Sequence, residues 1–272
     1  MLVDSHCHIY FPELKNQLSE VLAKMKAAGV RSALVVSVGK SSFAQLLPIV
    51  DAHMGLFASV GTHPQEEKSE GFSLTDLMKA TNDPKVIALG ETGLDYHYPE
   101  GIPKPLQKER FALHIKVAEK TGLPLIIHTR DADQECLDCM EPYNLRAVIH
   151  CFTEDRAFAK RALDLGYYLS FSGIVTFKSA YEIQEVARYA PEERILIETD
   201  SPFLAPVPKR GKINEPAFVT YTAQFIAQLR GESLEKVHNY TTRNFYALFN
   251  KADENQVLFL SLMHISEPTR LG

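Results

Sequence analysis

The chain has 272 residues, 45% of them hydrophobic and 23% charged, with a formal net charge of −5. This is an ordinary globular composition, neither disordered nor fibrous, and its charge gives no general push toward nucleic acid, so a nucleic-acid ligand would need a local basic patch. No apolar run approaches the ~20 residues that span a bilayer, no basic stretch leading into an apolar one marks a secretory signal, and the cysteines (Cys7, Cys136, Cys139, Cys151), read as free thiols, suit a reducing cytoplasm.

Short apolar runs alternate with helical patterns along the chain. A strand is predicted at 2–8, then a helix in which Leu14, Leu18, Val21, Leu22 and Met25 share one face and Gly29 supplies the stop. Next come a strand at 31–38, a helix near 41–52, a strand at 56–61, a helix near 73–80 and a strand at 86–91. A long helix is predicted from about Pro105 to Thr121, with proline in its first turn and Gly122 at its end. Strands at 124–128, 147–150, 167–171 and 195–199 follow, separated by helices near 132–140, 154–165 and 179–189, with two more helices near 215–229 and 233–249.

Eight strand–helix repeats imply parallel strands with right-handed crossovers and favour a closed (β/α)8 TIM barrel, an α/β fold, over an open sheet. One domain over residues 1–250 accommodates it. The longest irregular segments, 62–73, 94–104 and 201–214, all follow strands, on the side where barrel active sites lie. Residues 251–272 are read as a tail. Within it, 260–270 carries no helical stripe and resembles a translated sequencing-adapter read-through, so it is set aside.

The chemistry concentrates at strand ends. His6 and His8 are two apart, so both imidazoles face one side of a strand while Cys7 faces the other. Glu91, His128, His150 and Asp200 each follow an apolar run, where a barrel strand surfaces into the mouth. Taken singly these signals are weak: a strand-end histidine is often structural, and Glu91 or Asp200 alone could cap a helix or form a turn. Jointly they are metal-ligand chemistry. Four imidazoles and two carboxylates exceed one tetrahedral ion and suit two divalent ions bridged by a carboxylate, able to share a hydroxide near neutral pH. Nitrogen-rich ligation favours Zn, Mn, Co or Ni over Mg.

The motifs Asp4-Ser5-His6-Cys7-His8, Gly61-Thr62-His63-Pro64, Gly90-Glu91-Thr92-Gly93-Leu94-Asp95, His128-Thr129-Arg130, His150-Cys151-Phe152 and Glu198-Thr199-Asp200-Ser201-Pro202 occur in this order. With Asn244-Phe245-Tyr246-Ala247-Leu248-Phe249 they make the chain resemble the TatD family of metal-dependent deoxyribonucleases, within the amidohydrolase-like barrels, over about residues 1–250. The resemblance implies that His6, His8, Glu91 and Asp200 hold one ion and that Glu91, His128 and His150 hold the second. It implies a catalytic pair, Glu91 as the bridge and Asp200 as the carboxylate that takes a proton from the attacking water. It also implies a substrate-facing His63, for which a packed loop histidine is the alternative.

Arg130 lies two residues after His128 and can face the same pocket or pair with Glu91, Asp95 or another carboxylate. Lys209 and Arg210, in the loop after Asp200, suggest phosphate steering, against a merely solvated loop. Cys136 and Cys139 lack a second pair and are assigned no function, and Cys7 and Cys151 are expected to point away from the ligands as packing residues. Tyr96, His97 and Tyr98 can stack on a base or pack on the rim, while His53, His114 and His238 fall in helical patterns and read as structural or surface groups.

The expectation is a metal-dependent hydrolase acting on DNA ends or single strands as an exodeoxyribonuclease through a metal-bridging hydroxide. One alternative is attack on a carbonyl in an amide, lactone or aminoacyl-tRNA ester. The other is a non-catalytic metal-binding scaffold. No phosphate-binding Gly-rich loop, dinucleotide fingerprint or nucleophile elbow is present to support nucleotide-driven or serine-hydrolase chemistry.

Overall fold

Eight parallel strands pair in chain order: β1 (Leu2–Cys7), β2 (Val30–Val35), β3 (Leu56–Val60), β4 (Val86–Asp95), β5 (Leu125–Arg130), β6 (Ala147–Ile149), β7 (Tyr168–Phe171) and β8 (Ile195–Ile197). The computed structural model describes residues 1–255. The ends of the sheet meet: Asp200 N–H donates to the His6 carbonyl (2.9 Å) and His8 N–H to the Ser201 carbonyl (2.8 Å). The sheet is therefore a TIM barrel, and its closing seam runs through three of the candidate ligands.

Outside it lie α1 (Pro12–Lys15), α2 (Leu18–Ala27), α3 (Lys40–Asp51), α4 (Leu74–Ala80), α5 (Lys104–Thr121), α6 (Asp133–Met140), α7 (Arg156–Asp164), α8 (Tyr181–Tyr189), α9 (Val219–Arg230) and α10 (Leu234–Leu248). Two apolar layers follow from strand alternation. Outward residues such as Leu2, Val35, Leu89 and Ile127 pack on the helices. Inward residues, one or more from every strand (Val3, Leu34, Phe57, Ile87, Ile126, Val148, Tyr168, Leu196), fill the barrel and meet Phe245, Leu248 and Phe249 at the end of α10.

Three expectations change. The first predicted helix is two: Gln17 N–H bonds Leu14 O, while its side-chain amide takes the Glu13 carbonyl (2.8 Å) that a continuous helix would use. Leu14, Val21, Leu22 and Met25 are still all buried. β4 runs on to Asp95 rather than stopping at Glu91. The barrel's contacts also pass residue 250, since Lys251 Nζ donates to the Thr81 (2.8 Å) and Asp83 (2.6 Å) carbonyls. The segment 260–270 lies outside the described residues.

Candidate metal centre

Strict alternation from inward Val3 would send His6 outward. A bulge prevents this: Asp4 and Cys7 pair with Ala33 and Val35, so β1 holds one more residue than β2 over that interval. Ser5, bonded to inward Ser170 (3.1 Å), and His6 therefore both face inward. Cys7 is turned out, its thiol against the Leu34 carbonyl (3.5 Å), and His8 faces in again. The Asp4 carboxylate accepts from the Thr199 N–H (2.9 Å) and hydroxyl (2.6 Å), bracing β1 against the chain before Asp200.

β4 repeats the device. Leu89 and Thr92 pair with Leu125 and Ile127, leaving one extra residue at Gly90–Glu91. Gly90 and Gly93 have φ of +139° and +140°, and a Cβ would sit 2.7 Å from the Ile126 carbonyl oxygen and 2.0 Å from that of His128, respectively. Only glycine permits this approach. Glu91 thus enters the mouth from inside a strand.

Its two carboxylate oxygens face different partners. Oε2 lies 3.4 Å from His6 Nε2 and 3.9 Å from His8 Nε2. Oε1 lies 3.0 Å from His128 Nδ1, 2.9 Å from His150 Nε2 and 3.6 Å from His63 Nε2. Asp200 Oδ1 completes the first group, 3.2 Å from His8 Nε2 and 3.6 Å from His6 Nε2. His6, His8 and Asp200 converge closely enough to hold an ion, as do His6, Glu91 and His150, and also His63, Asp95 and His128.

The donor chemistry fits divalent cations. His8 Nδ1 must donate to the Val36 carbonyl (2.9 Å), which leaves its Nε2 lone pair facing His6 Nε2 at 3.2 Å. Two imidazole nitrogens, buried and this close, are balanced by a shared proton or by a cation. His6 Nδ1 has no partner among the described residues.

Electrostatics tie the set together. Burial opposes ionisation of Glu91, but His150, His63 and His128 outweigh it and hold its pKa well below the usual carboxylate range. Burial likewise opposes charge on His150, yet Glu91 and Glu198 raise its pKa well above that of free imidazole. Burial and the neighbouring His150 lower the pKa of His6. His63 is pushed down to about 3 by burial and by His128, and its Nδ1 accepts from Gln65 N–H (3.1 Å).

The cluster floors a cavity of about 640 Å³. Phe11, Ile174, Phe203 and Leu204 form an apolar wall, while His63 and Arg130 also line the space. Phe203 is 52% exposed and meets Phe11 edge-to-face at 5.7 Å. Arg130 hydrogen-bonds the Tyr98 hydroxyl (3.1 Å) rather than Glu91 or Asp95. Lys209 and Arg210 do not reach this cavity. Lys209 sits over Phe218 (5.3 Å), and Arg210 over Phe177 (3.8 Å), where it lines an adjoining hollow with Phe203 and Leu204.

Cys151 corrects an expectation, for it lines the cavity. β6 has ended at Ile149, and a φ of +43° at Cys151 breaks the alternation that would have hidden it. Tyr96 packs on the rim, its hydroxyl on Glu135 (2.7 Å) and Lys104 over its ring (3.9 Å). Two acids of the site are not assigned from sequence: Asp95 enters there only as a candidate partner for Arg130, and Glu198 stands inside a motif without a role. Their signal was placement: Glu198 is two residues before Asp200, and Asp95 four after Glu91.

Residues 3–250 match the family model described as TatD related DNase. The "uncharacterized metal-dependent hydrolase YcfH" of Escherichia coli K12 is 42% identical over 256 residues, spanning 92% of this chain and 96% of that protein. YabD of Bacillus subtilis, also described as an uncharacterized metal-dependent hydrolase, is 37% identical over 92% of this chain and 99% of its own. The crystal structure of YjjV, a TatD homologue from E. coli K12, superposes with a TM-score of 0.85 at 26% identity, covering 92% of this chain and 98% of that one.

Proposed function

The chain belongs to the TatD family of metal-dependent hydrolases, and on that premise we propose that it is a two-metal phosphodiesterase that removes nucleotides from DNA ends. The observation that carries this reading is the division of Glu91: Oε2 toward His6 and His8, Oε1 toward His128 and His150. A carboxylate shared in this way is suited to bridge two ions, which supports a two-ion site. His6, His8, Glu91 and Asp200 would hold one ion, and Glu91, His128 and His150 the other. The bound ions, with Zn, Mn, Co or Ni favoured by the nitrogen-rich set, would bring a coordinated water's pKa toward neutrality and stabilise charge on a phosphoryl oxygen.

The chain's own groups divide the remaining work. The Asp200 side chain is 15% exposed against 5% for Glu91, so Asp200 is the carboxylate open to the cavity and suited to taking a water proton. His63 and Arg130 line the cavity beside the cluster and are the groups proposed to contact the phosphodiester. The Phe11–Phe203 wall offers a face to an unpaired base. The family model's DNase description supports DNA as the substrate class.

The test incubates 5′- and 3′-labelled single-stranded DNA with the protein and Mn²⁺ or Mg²⁺, with a chelator arm and a Glu91→Gln arm. Metal-dependent cleavage is expected, with Glu91→Gln slower by about 10³-fold or more, as several kcal/mol of lost charge stabilisation implies. No Glu91-dependent cleavage would sink the DNA reading. Turnover of a lactone or aminoacyl ester in its place would move the reaction to a carbonyl, and metal binding with neither activity would indicate a scaffold.

A further inference from the structure

The two halves of the centre are backed differently. On the Glu91 Oε1 side, His128 and His150 each have a carboxylate behind them, while His63 Nδ1 takes the Gln65 N–H (3.1 Å). His128 turns Nδ1 to Glu91 (3.0 Å) and Nε2 to Asp95 Oδ2 (3.2 Å). His150 turns Nε2 to Glu91 (2.9 Å) and Nδ1 to Glu198 Oε1 (3.3 Å). On the Oε2 side no carboxylate plays this part: His8 Nδ1 has the Val36 carbonyl (2.9 Å) and the Tyr10 hydroxyl (3.4 Å), and His6 Nδ1 has no partner among the described residues.

Both acids are held in place. Asp95 is 2% exposed, and its Oδ1 accepts from His97 N–H (3.0 Å). Gln107 of α5 grips its backbone from both sides, accepting its N–H and donating to its carbonyl (2.8 Å each). Glu198 is fully buried, with Oε1 accepting from Cys151 N–H (2.8 Å) and Oε2 without a partner among the described residues.

We infer that Asp95 and Glu198 are positioning residues for one ion of the pair, the one held by His128 and His150, and not for the other. Each carboxylate accepts the outer N–H of its imidazole. That fixes the tautomer, turns the inner lone pair toward Glu91 and raises the ring's strength as a donor. The inference rests on the metal reading proposed above, and ion binding without substrate separates the two.

The experiment titrates the metal-free full chain with Zn²⁺ against a chromophoric chelator, and records Co²⁺ absorption bands. The wild type should take up two ions. Asp95→Ala and Glu198→Ala should each weaken one of them by about 10- to 100-fold and leave the other unchanged. Asp95→Asn and Glu198→Gln keep an acceptor oxygen without the charge and should fall between. The Co²⁺ bands should shift while far-ultraviolet circular dichroism shows the metal-free Asp95 variants still folded. Glu198→Ala empties a fully buried site, so the Asp95 pair carries the test should that variant not fold.

Unchanged stepwise affinities, or equal loss of both ions, overturn the inference. So does uptake of three ions by the wild type and two by Asp95→Ala, which would make Asp95 a ligand beside His63 and His128. A wild type that binds no Zn²⁺ overturns the metal reading itself, and this inference with it.

Discussion

Phe203 offers an aromatic face on the apolar wall of the cavity floored by the clustered imidazoles and carboxylates. It is half exposed, meets Phe11 edge-to-face, and shares the cavity with Glu91 and Asp200. Base stacking on an aromatic side chain contributes about 1–3 kcal/mol. Phe203→Ala should therefore lower kcat/KM on single-stranded DNA ends by roughly 5- to 100-fold, mostly through KM, since its ring touches none of the clustered ligands. A KM equal to wild type would show the wall idle. The imidazoles were legible as candidates because their spacing is local. Their tautomers were not, because the groups that decide them, Val36, Asp95 and Glu198, come from other strands or from more distant sequence.

At the level of elements, the two bulges decide which way the ligands face. β4 carries the tighter one, and Gly93 lets it lie against β5. Gly93→Ala forces a Cβ to within 2.0 Å of the His128 carbonyl oxygen at a φ of +140°. The expected cost is about 3 kcal/mol or more, a fall in Tm of roughly 6–12 °C, with displacement of His128. An unchanged Tm would show that β4 yields freely there.

α5 contributes a second element-scale effect through His114. The ring is buried, donates Nδ1–H to the Arg110 carbonyl (2.7 Å) and accepts Thr62 N–H at Nε2 (3.2 Å). Burial pushes its pKa from an ordinary 6.5 down to about 4. Between those values the unfolded chain binds a proton that the native one refuses, so His114's contribution is intact above pH ~6.5 and is lost as pH falls toward ~4. From pH 7.5 to 5 this amounts to about 2 kcal/mol. Urea midpoints at the two pH values should differ more in the wild type than in His114→Gln; equal differences would remove His114 from the acid response.

For the whole molecule, a net charge of −5 means that binding of the proposed DNA substrate would rest on a few local cations. Among the described residues, Arg130 is the lysine or arginine lining the cavity, while Lys209 and Arg210 are stacked on aromatic rings outside it. Arg130→Ala should reduce the slope of log K against log salt by about 0.7, one single-strand phosphate. The Lys209→Ala, Arg210→Ala double variant should leave the slope unchanged. The opposite pattern would place the phosphate path over the loop of Lys209 and Arg210.

The sequence by itself determined the repeating unit, and with it the barrel: apolar runs at period two and helical stripes at period 3.6 are local properties. It also determined which residues emerge in the mouth, because a polar side chain directly after a buried run has one place to go. Only the tertiary structure decided how they meet. One extra residue in β1 against β2 and one in β4 against β5 turn His6 and Glu91 inward. The β1–β8 seam sets Asp200 beside His6 and His8, and the oxygens of one carboxylate are split between two groups of imidazoles. Register and closure are relations between strands far apart in the chain, so no local window contains them.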